Sequence, residues 1–209
     1  MKTTKPLAAA SLLLALLAGG NAWSNGCSPI VIDLARDGLE LGKAGTGVYF
    51  DVNADGVRDH VQWVRPGGDE GFLALDRTGN RLVDDGAELF GVGTPLVLEG
   101  NRNAPNGFVG LAQYDARELG GNDDGLITEA DAIWPELRIW LDVNADGVST
   151  PDEMRTLKSY GITALETIPK IRKRVDEAGN VIPYWAWALQ QNRGGRATMV
   201  DVFFRQLPK

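Results

Sequence analysis

The sequence predicts an α+β fold, in which short helices and strands are joined by acidic, glycine-bearing loops and followed by a C-terminal antiparallel β meander. Three observations lead there. Acidic loops of one spacing recur, most fully as DVNADGVSTPDE from Asp142 and DVNADGVRD from Asp51. Their flanks mix β-type alternation, as in Leu137 to Leu141, with helix-start signals such as Pro151. Beyond Ile162, β-prone runs alternate with the turns DEAGN and NRGGR.

The Asp142 loop is the most complete. Asp142, Asn144 and Asp146 stand at alternate positions, Gly147 follows, and Glu153 closes the span. That is the spacing of an EF-hand calcium loop. A hard dication takes about six to eight oxygens at roughly 2.3–2.6 Å, so the chain must wind tightly around it. Gly147 permits the sharp turn because it has no Cβ to clash at positive φ. The Val148 carbonyl supplies a backbone oxygen, Thr150 acts directly or through water, and Glu153 clamps with both oxygens. Pro151 predicts a helix start, running from Glu153 to Tyr160 with Gly161 as its stop.

The other loops grade away from this pattern. Asp51, Asn53, Asp55 and Gly56 repeat its first half, Val57 offers the carbonyl, and Asp59 replaces the distant glutamate, with strand patterning on both sides. In NDDGLITEAD, Asn122, Asp124, the Leu126 carbonyl and Asp131 take later positions. The first oxygen comes from Asp115 across a bulge, or from a backbone carbonyl, with Asp115 preferred. Asp131 also suits capping of a short helix through Trp134. The Asp33 loop carries Ala35 where a ligand belongs and reads as a structural turn. The Asp76 loop has Arg81 at the glycine position and Glu88 one residue late, which fits a turn or a weak site. His60 reads as a solvated loop histidine, and Tyr184, Trp185 and Trp187 as sheet packing.

Residues 1–22 read as a signal peptide, with Lys2 and Lys5 before an apolar run too short to span a bilayer. A flexible terminus is expected over 23–28, a calcium-loop core over 29–165, and the meander packed on it over 166–209. Loss of residues 1–22 would move the net charge from −7 to −9. This acidic balance and the lack of a basic stripe argue against nucleic acid and suit a chain that gathers cations. Cys27 is the lone cysteine, so no internal disulfide can form. Ser24-Asn25-Gly26 before it does not fit a lipid-attachment box. The expected location is therefore secreted or periplasmic, with no transmembrane segment in the mature chain.

The ordered set PIVIDLARDGLEL, FDVNADGVRDHVQWV, GFLALDRTGN, DDGAELFG, NDDGLITEADAIW and LRIWLDVNADGVSTPDE resembles the self-processing module of iron-regulated RTX proteins of Gram-negative bacteria. The similarity runs over nearly all of Pro29 to Phe204. It implies a calcium-dependent α+β fold that is poorly ordered without the ion. In self-processing members, calcium triggers cleavage of an Asp-Pro bond before the first strand, through an aspartyl anhydride. The matching position here is Ser28-Pro29, and no Asp-Pro occurs in the chain. The expectation is a calcium-binding protein without catalytic residues. The alternatives are a calcium-stiffened adhesion or interaction module for a protein or cell-surface partner, and a self-processing or hydrolytic module.

Overall fold

The computed structural model describes residues 28–191 and 195–208; the predicted signal segment and Cys27 lie outside them. The described residues form thirteen strands: β1 (Ile30–Asp33), β2 (Gly47–Phe50), β3 (Asp59–Gln62), β4 (Glu70–Leu75), β5 (Pro95–Leu96), β6 (Arg102–Asn103), β7 (Leu126–Ile127), β8 (Leu137–Trp140), β9 (Met154–Thr156), β10 (Ile162–Glu166), β11 (Lys170–Val175), β12 (Val181–Gln190) and β13 (Gly195–Phe203). The α-helix α1 (Gly107–Ala112) is a short one, capped by Asn106, whose Oδ1 accepts the Val109 N–H at 3.0 Å.

Nine strands build one curled antiparallel sheet in the order β7-β10-β12-β13-β1-β4-β8-β9, with β11 also pairing β12. The N-terminal strand β1 lies between the C-terminal β13 and β4, with Val31 opposite Val200 and Phe72. The C-terminal strands therefore share the sheet that carries the Asp142 loop.

The central strands are covered on both faces, which is why IVID and EGFLAL are buried throughout. Ile30, Ile32, Leu73 and Ile139 face α1, packing with Phe108 and Leu111. Val31, Phe72, Trp140 and Val200 face the β2–β3 hairpin, packing with Val48, Phe50, Val61 and Trp63. Alternate residues point to opposite sides of a strand, so two cores form from one sheet. On the hairpin side Trp63 lies 4.6 Å from Phe72 and 5.3 Å from Phe204, ring centre to ring centre.

The expected α+β class, with EF-hand units carrying helices, is overturned. The Asp142 loop joins β8 to β9, and these pair antiparallel with Arg138 opposite Thr156 and Trp140 opposite Met154. The residues expected to begin a helix at Glu153 form β9 instead. Only a 3₁₀ turn follows, Leu157–Tyr160, stopped by Gly161 at φ 69°. The segment through Trp134 is likewise a 3₁₀ turn, Trp134–Glu136. No helix–loop–helix pair occurs among the described residues. Pairing of β8 with β4 and β9 satisfies backbone groups that local helix formation would otherwise use. His60, on β3, stacks on Tyr49 at 4.6 Å, and its Nδ1 lies 2.7 Å from the Pro208 carbonyl oxygen.

Candidate metal centres

Each acidic loop begins with an aspartate whose carboxylate folds back to receive backbone N–H groups. In the strand-flanked Asp142 loop, Oδ1 accepts from Asp146 at 3.2 Å and Oδ2 from Gly147 at 2.9 Å. Asn144 Oδ1 accepts the same Asp146 N–H, and its Nδ2 donates to Asp146 Oδ2 at 2.8 Å. Asp146 Oδ1 accepts from Val148 at 2.8 Å. Glu153 reaches back across the loop: its Oε1 accepts from Val143, and its Oε2 from both the N–H and the hydroxyl of Thr150.

The Asp51 loop has the same wiring. Asp55 and Gly56 donate to Asp51 at 3.0 and 2.8 Å, Asn53 Nδ2 donates to Asp55, and Val57 donates to Asp55 Oδ1. Asp59 follows on β3, opposite Phe50. The third loop repeats the pattern across its insertion. Asp124 and Gly125 donate to Asp115 at 3.1 and 2.8 Å, and Asn122 and Leu126 meet Asp124 as in the other two. Asp115 thus occupies the first position. Residues 116–121 loop out, and Gly121 lets the chain return: a Cβ there would lie 2.2 Å from the Asp115 carbonyl. Asp131 Oδ2 accepts from Thr128 as Glu153 does from Thr150.

The backbone repeats as well. Positive φ recurs at the fourth and sixth loop positions, as Ala54 and Gly56, Asp123 and Gly125, Ala145 and Gly147. The pair Arg36 and Gly38 in the Asp33 loop and the pair Gly79 and Arg81 in the Asp76 loop do the same. Among the described residues, five of the six non-glycine residues at positive φ lie in these loops. Such strain persists where the surroundings impose it, and it collects at functional segments.

Electrostatics oppose the arrangement in the free chain. Burial raises the Asp142 pKa and the charge of Glu153 adds to the rise, while N–H donors from Gly147, Trp63 and Asp146 pull it down. Asp115 is raised by burial, with the charges of Asp124 and Asp131 adding to it. Asp131 is 2% exposed, and its Oδ1 has no hydrogen-bond partner. A buried carboxylate oxygen left unpaired is costly unless something positive meets it. The donor set is wholly oxygen, which fits a hard cation such as Ca²⁺.

Two features were missed in the sequence, and a third, Glu88, was read there only as one residue late. Asp69 joins Asp33 and Asp37, with carboxylate oxygens within 4.8 Å of one another, and its Oδ2 accepts the Ala35 N–H. Glu88 is buried and closes the Asp76 loop, accepting from Arg77, Thr78 and Asp84 much as Glu153 closes its own. Trp63 donates its indole N–H to Asp142 Oδ2 at 2.7 Å. Glu88 was visible as an acid one residue late. Asp69 and Trp63 left no local signal, because pairing of β1 with β4 brings in the first and packing of the β2–β3 hairpin on the sheet brings in the second.

A mostly antiparallel sheet with repeated acidic loops at its strand ends defines the class, and residues 30–205 match the SPM domain; the chain belongs to that family. It is also 40% identical, over 140 residues, to the iron-regulated protein FrpA of Neisseria meningitidis serogroup C. That match covers 66% of this chain and 12% of the relative. Among the described residues no helix is long and apolar enough to cross a membrane.

Proposed function

We propose that this chain is a secreted or periplasmic calcium-binding module whose folding is coupled to the ion. The carrying observation is one wiring repeated in three separate loops, each with oxygen ligands gathered around a wound backbone. Asp142, Asn144, Asp146, the Val148 carbonyl, Thr150 and Glu153 would hold one ion. Asp51, Asn53, Asp55, the Val57 carbonyl and Asp59 would hold a second. Asp115, Asn122, Asp124, the Leu126 carbonyl and Asp131 would hold a third. Bound calcium supplies the positive charge that offsets repulsion among these carboxylates. The loops close β2–β3 and β8–β9, so ordering them orders hairpins that bring Val48, Phe50, Val61, Trp63 and Trp140 into one of the two cores. Binding to the native state alone stabilises it by mass action. Affinities of about 10⁻⁴–10⁻³ M are usual for extracellular modules.

The module does not cleave itself on this reading. The residue before Pro29 is Ser28, whose hydroxyl cannot form a cyclic anhydride with its own carbonyl.

Calcium titration of residues 23–209 followed by near-UV circular dichroism tests the proposal. The wild type gains a fixed tryptophan signal at submillimolar to millimolar calcium, and the Asp142→Ala, Glu153→Ala variant does not. Intact mass stays constant throughout. A cooperative melt indifferent to chelator would overturn the coupling, and a calcium-dependent mass loss would overturn the non-enzymatic reading.

A further inference from the structure

The Asp142 carboxylate is held differently from its counterparts. In the Asp51 and Asp115 loops, the hydrogen bonds to the first aspartate come from backbone N–H groups. Asp142 Oδ2 receives the Gly147 N–H and, in addition, the indole N–H of Trp63 at 2.7 Å. Both partners are buried, at 1% and 2% exposure, and they stand 79 positions apart. Trp63 directly follows β3, and its ring is wedged among Phe50, Phe72, Trp140 and Phe204 at 4.6–5.8 Å. Its donor therefore has little freedom to swing away. The loop meets the same hairpin again at Gly147, where a Cβ would lie 2.9 Å from the Val48 side chain on β2.

We propose that Trp63 is a positioning residue for the Asp142 loop. Its indole N–H fixes the orientation of the Asp142 carboxylate for a divalent cation and ties binding there to the seating of the β2–β3 hairpin. The inference rests on the calcium reading above. A donor outside the ligand set fixes the ligand's rotamer before binding, so less freedom is lost when the cation arrives. The hairpin turn is itself the Asp51 loop, so the two loops act on one element. A cation that orders residues 51–59 seats Trp63 and favours binding at Asp142. By linkage, occupancy at Asp142 favours the Asp51 loop to the same degree.

Each loop contains its own reporter, the glycine amide that donates to the first aspartate: Gly56, Gly125 and Gly147. The test is a calcium chloride titration of ¹⁵N-labelled residues 23–209, following these amides and the Trp63 indole N–H by NMR. Trp63→Phe keeps an aromatic ring and removes the donor. It is expected to raise the Gly147 midpoint about 10–100-fold, the range for losing a partner that orients a metal ligand. The Gly125 midpoint should stay within about twofold, since no hydrogen bond joins Trp63 to that loop. Trp140→Phe is the control for aromatic packing, because the Trp140 Nε1 has no hydrogen-bond partner to lose. It should leave the Gly147 midpoint within about threefold.

A Gly147 midpoint unchanged in Trp63→Phe overturns the proposal, and so does an equal shift at Gly147 and Gly125, which would mark general destabilisation. If Trp63→Phe does not fold, the wild-type indole decides. Its resonance must move with the Gly147 midpoint, and an indole unmoved at saturation overturns the proposal. Calcium shifts in the wild type with Trp63→Phe unaffected would sink only this inference. No shift in the wild type would sink the calcium reading too.

Discussion

Replacing Asp201 with asparagine isolates a buried charge that lies outside the acidic loops. Asp201 sits on β13 between β12 and β1 and is fully buried. Its Oδ2 accepts the Gly107 N–H at 2.8 Å, where α1 begins. Its Oδ1 and the Ser28 hydroxyl each lack a hydrogen bond of normal geometry. Burial pushes the carboxyl from 3.8 up to about 7, with the Gly107 N–H and the nearby Ser28 hydroxyl offsetting part of the rise. The folded chain therefore keeps a proton that the unfolded chain has released between about pH 4 and pH 7. Stability from this group falls as pH rises through that window. About three pKa steps at 1.36 kcal/mol each set an upper bound of about 4 kcal/mol. Asparagine stays neutral at every pH, can keep the Gly107 bond, and can donate toward Ser28. Asp201→Asn should match wild type within about 1 kcal/mol at pH 4 and exceed it by up to about 4 kcal/mol at pH 8. The assay is urea unfolding of both proteins at pH 4, 6 and 8 in fixed calcium. Titration of the loop carboxylates is then common to the two and cancels in the difference. A difference that does not grow with pH, or a less stable variant at pH 8, would refute the argument.

Two further substitutions probe the frame and the third loop. Gly91→Ala would place a Cβ 1.5 Å from the Ser28 carbonyl oxygen, a backbone atom that cannot yield while Pro29 pairs with Gly91. A loss of more than about 4 kcal/mol by urea unfolding is expected, and a loss below about 1 kcal/mol would show that the β1 edge is not held there. Asp131→Asn removes the charge whose Oδ1 has no partner and which raises Asp115. It should raise calcium-free stability while moving the Gly125 calcium midpoint at least about tenfold higher. An unchanged midpoint would exclude Asp131 as a ligand.

The acidic loops were legible because their oxygens are local. Asp142, Asn144 and Asp146 converge through the turn of a few residues, and Gly147 or Gly56 supplies the backbone freedom wherever the chain is placed. The strand character around the Asp51 loop was legible for the same reason, from the alternation of Val48, Tyr49 and Phe50. The flanks of the Asp142 loop were not. Pro151 and the run to Tyr160 carry a genuine helical preference, which survives only as the 3₁₀ turn Leu157–Tyr160, because residues 154–156 are claimed by β8. Helix propensity is a local term of a few tenths of a kcal/mol per residue, and pairing of this exposed segment with the buried strand β8 outweighs it.

The spacing of the loop oxygens, the tight turns and the absent Asp-Pro bond are therefore properties of the chain as written. Tertiary structure alone decided that the Asp33, Asp76 and Asp142 loops end strands of one sheet while the Asp51 loop turns a separate hairpin, that Asp69 meets Asp33, and that Trp63 holds Asp142. It also buried Asp201 beside Ser28. The contacts of Asp69 with Asp33 and of Asp201 with Ser28 depend on antiparallel pairing between distant segments, and that of Trp63 with Asp142 on packing of the β2–β3 hairpin against the sheet. The register of that pairing is set by burying two faces of one sheet at once, a condition that no short stretch of sequence can express.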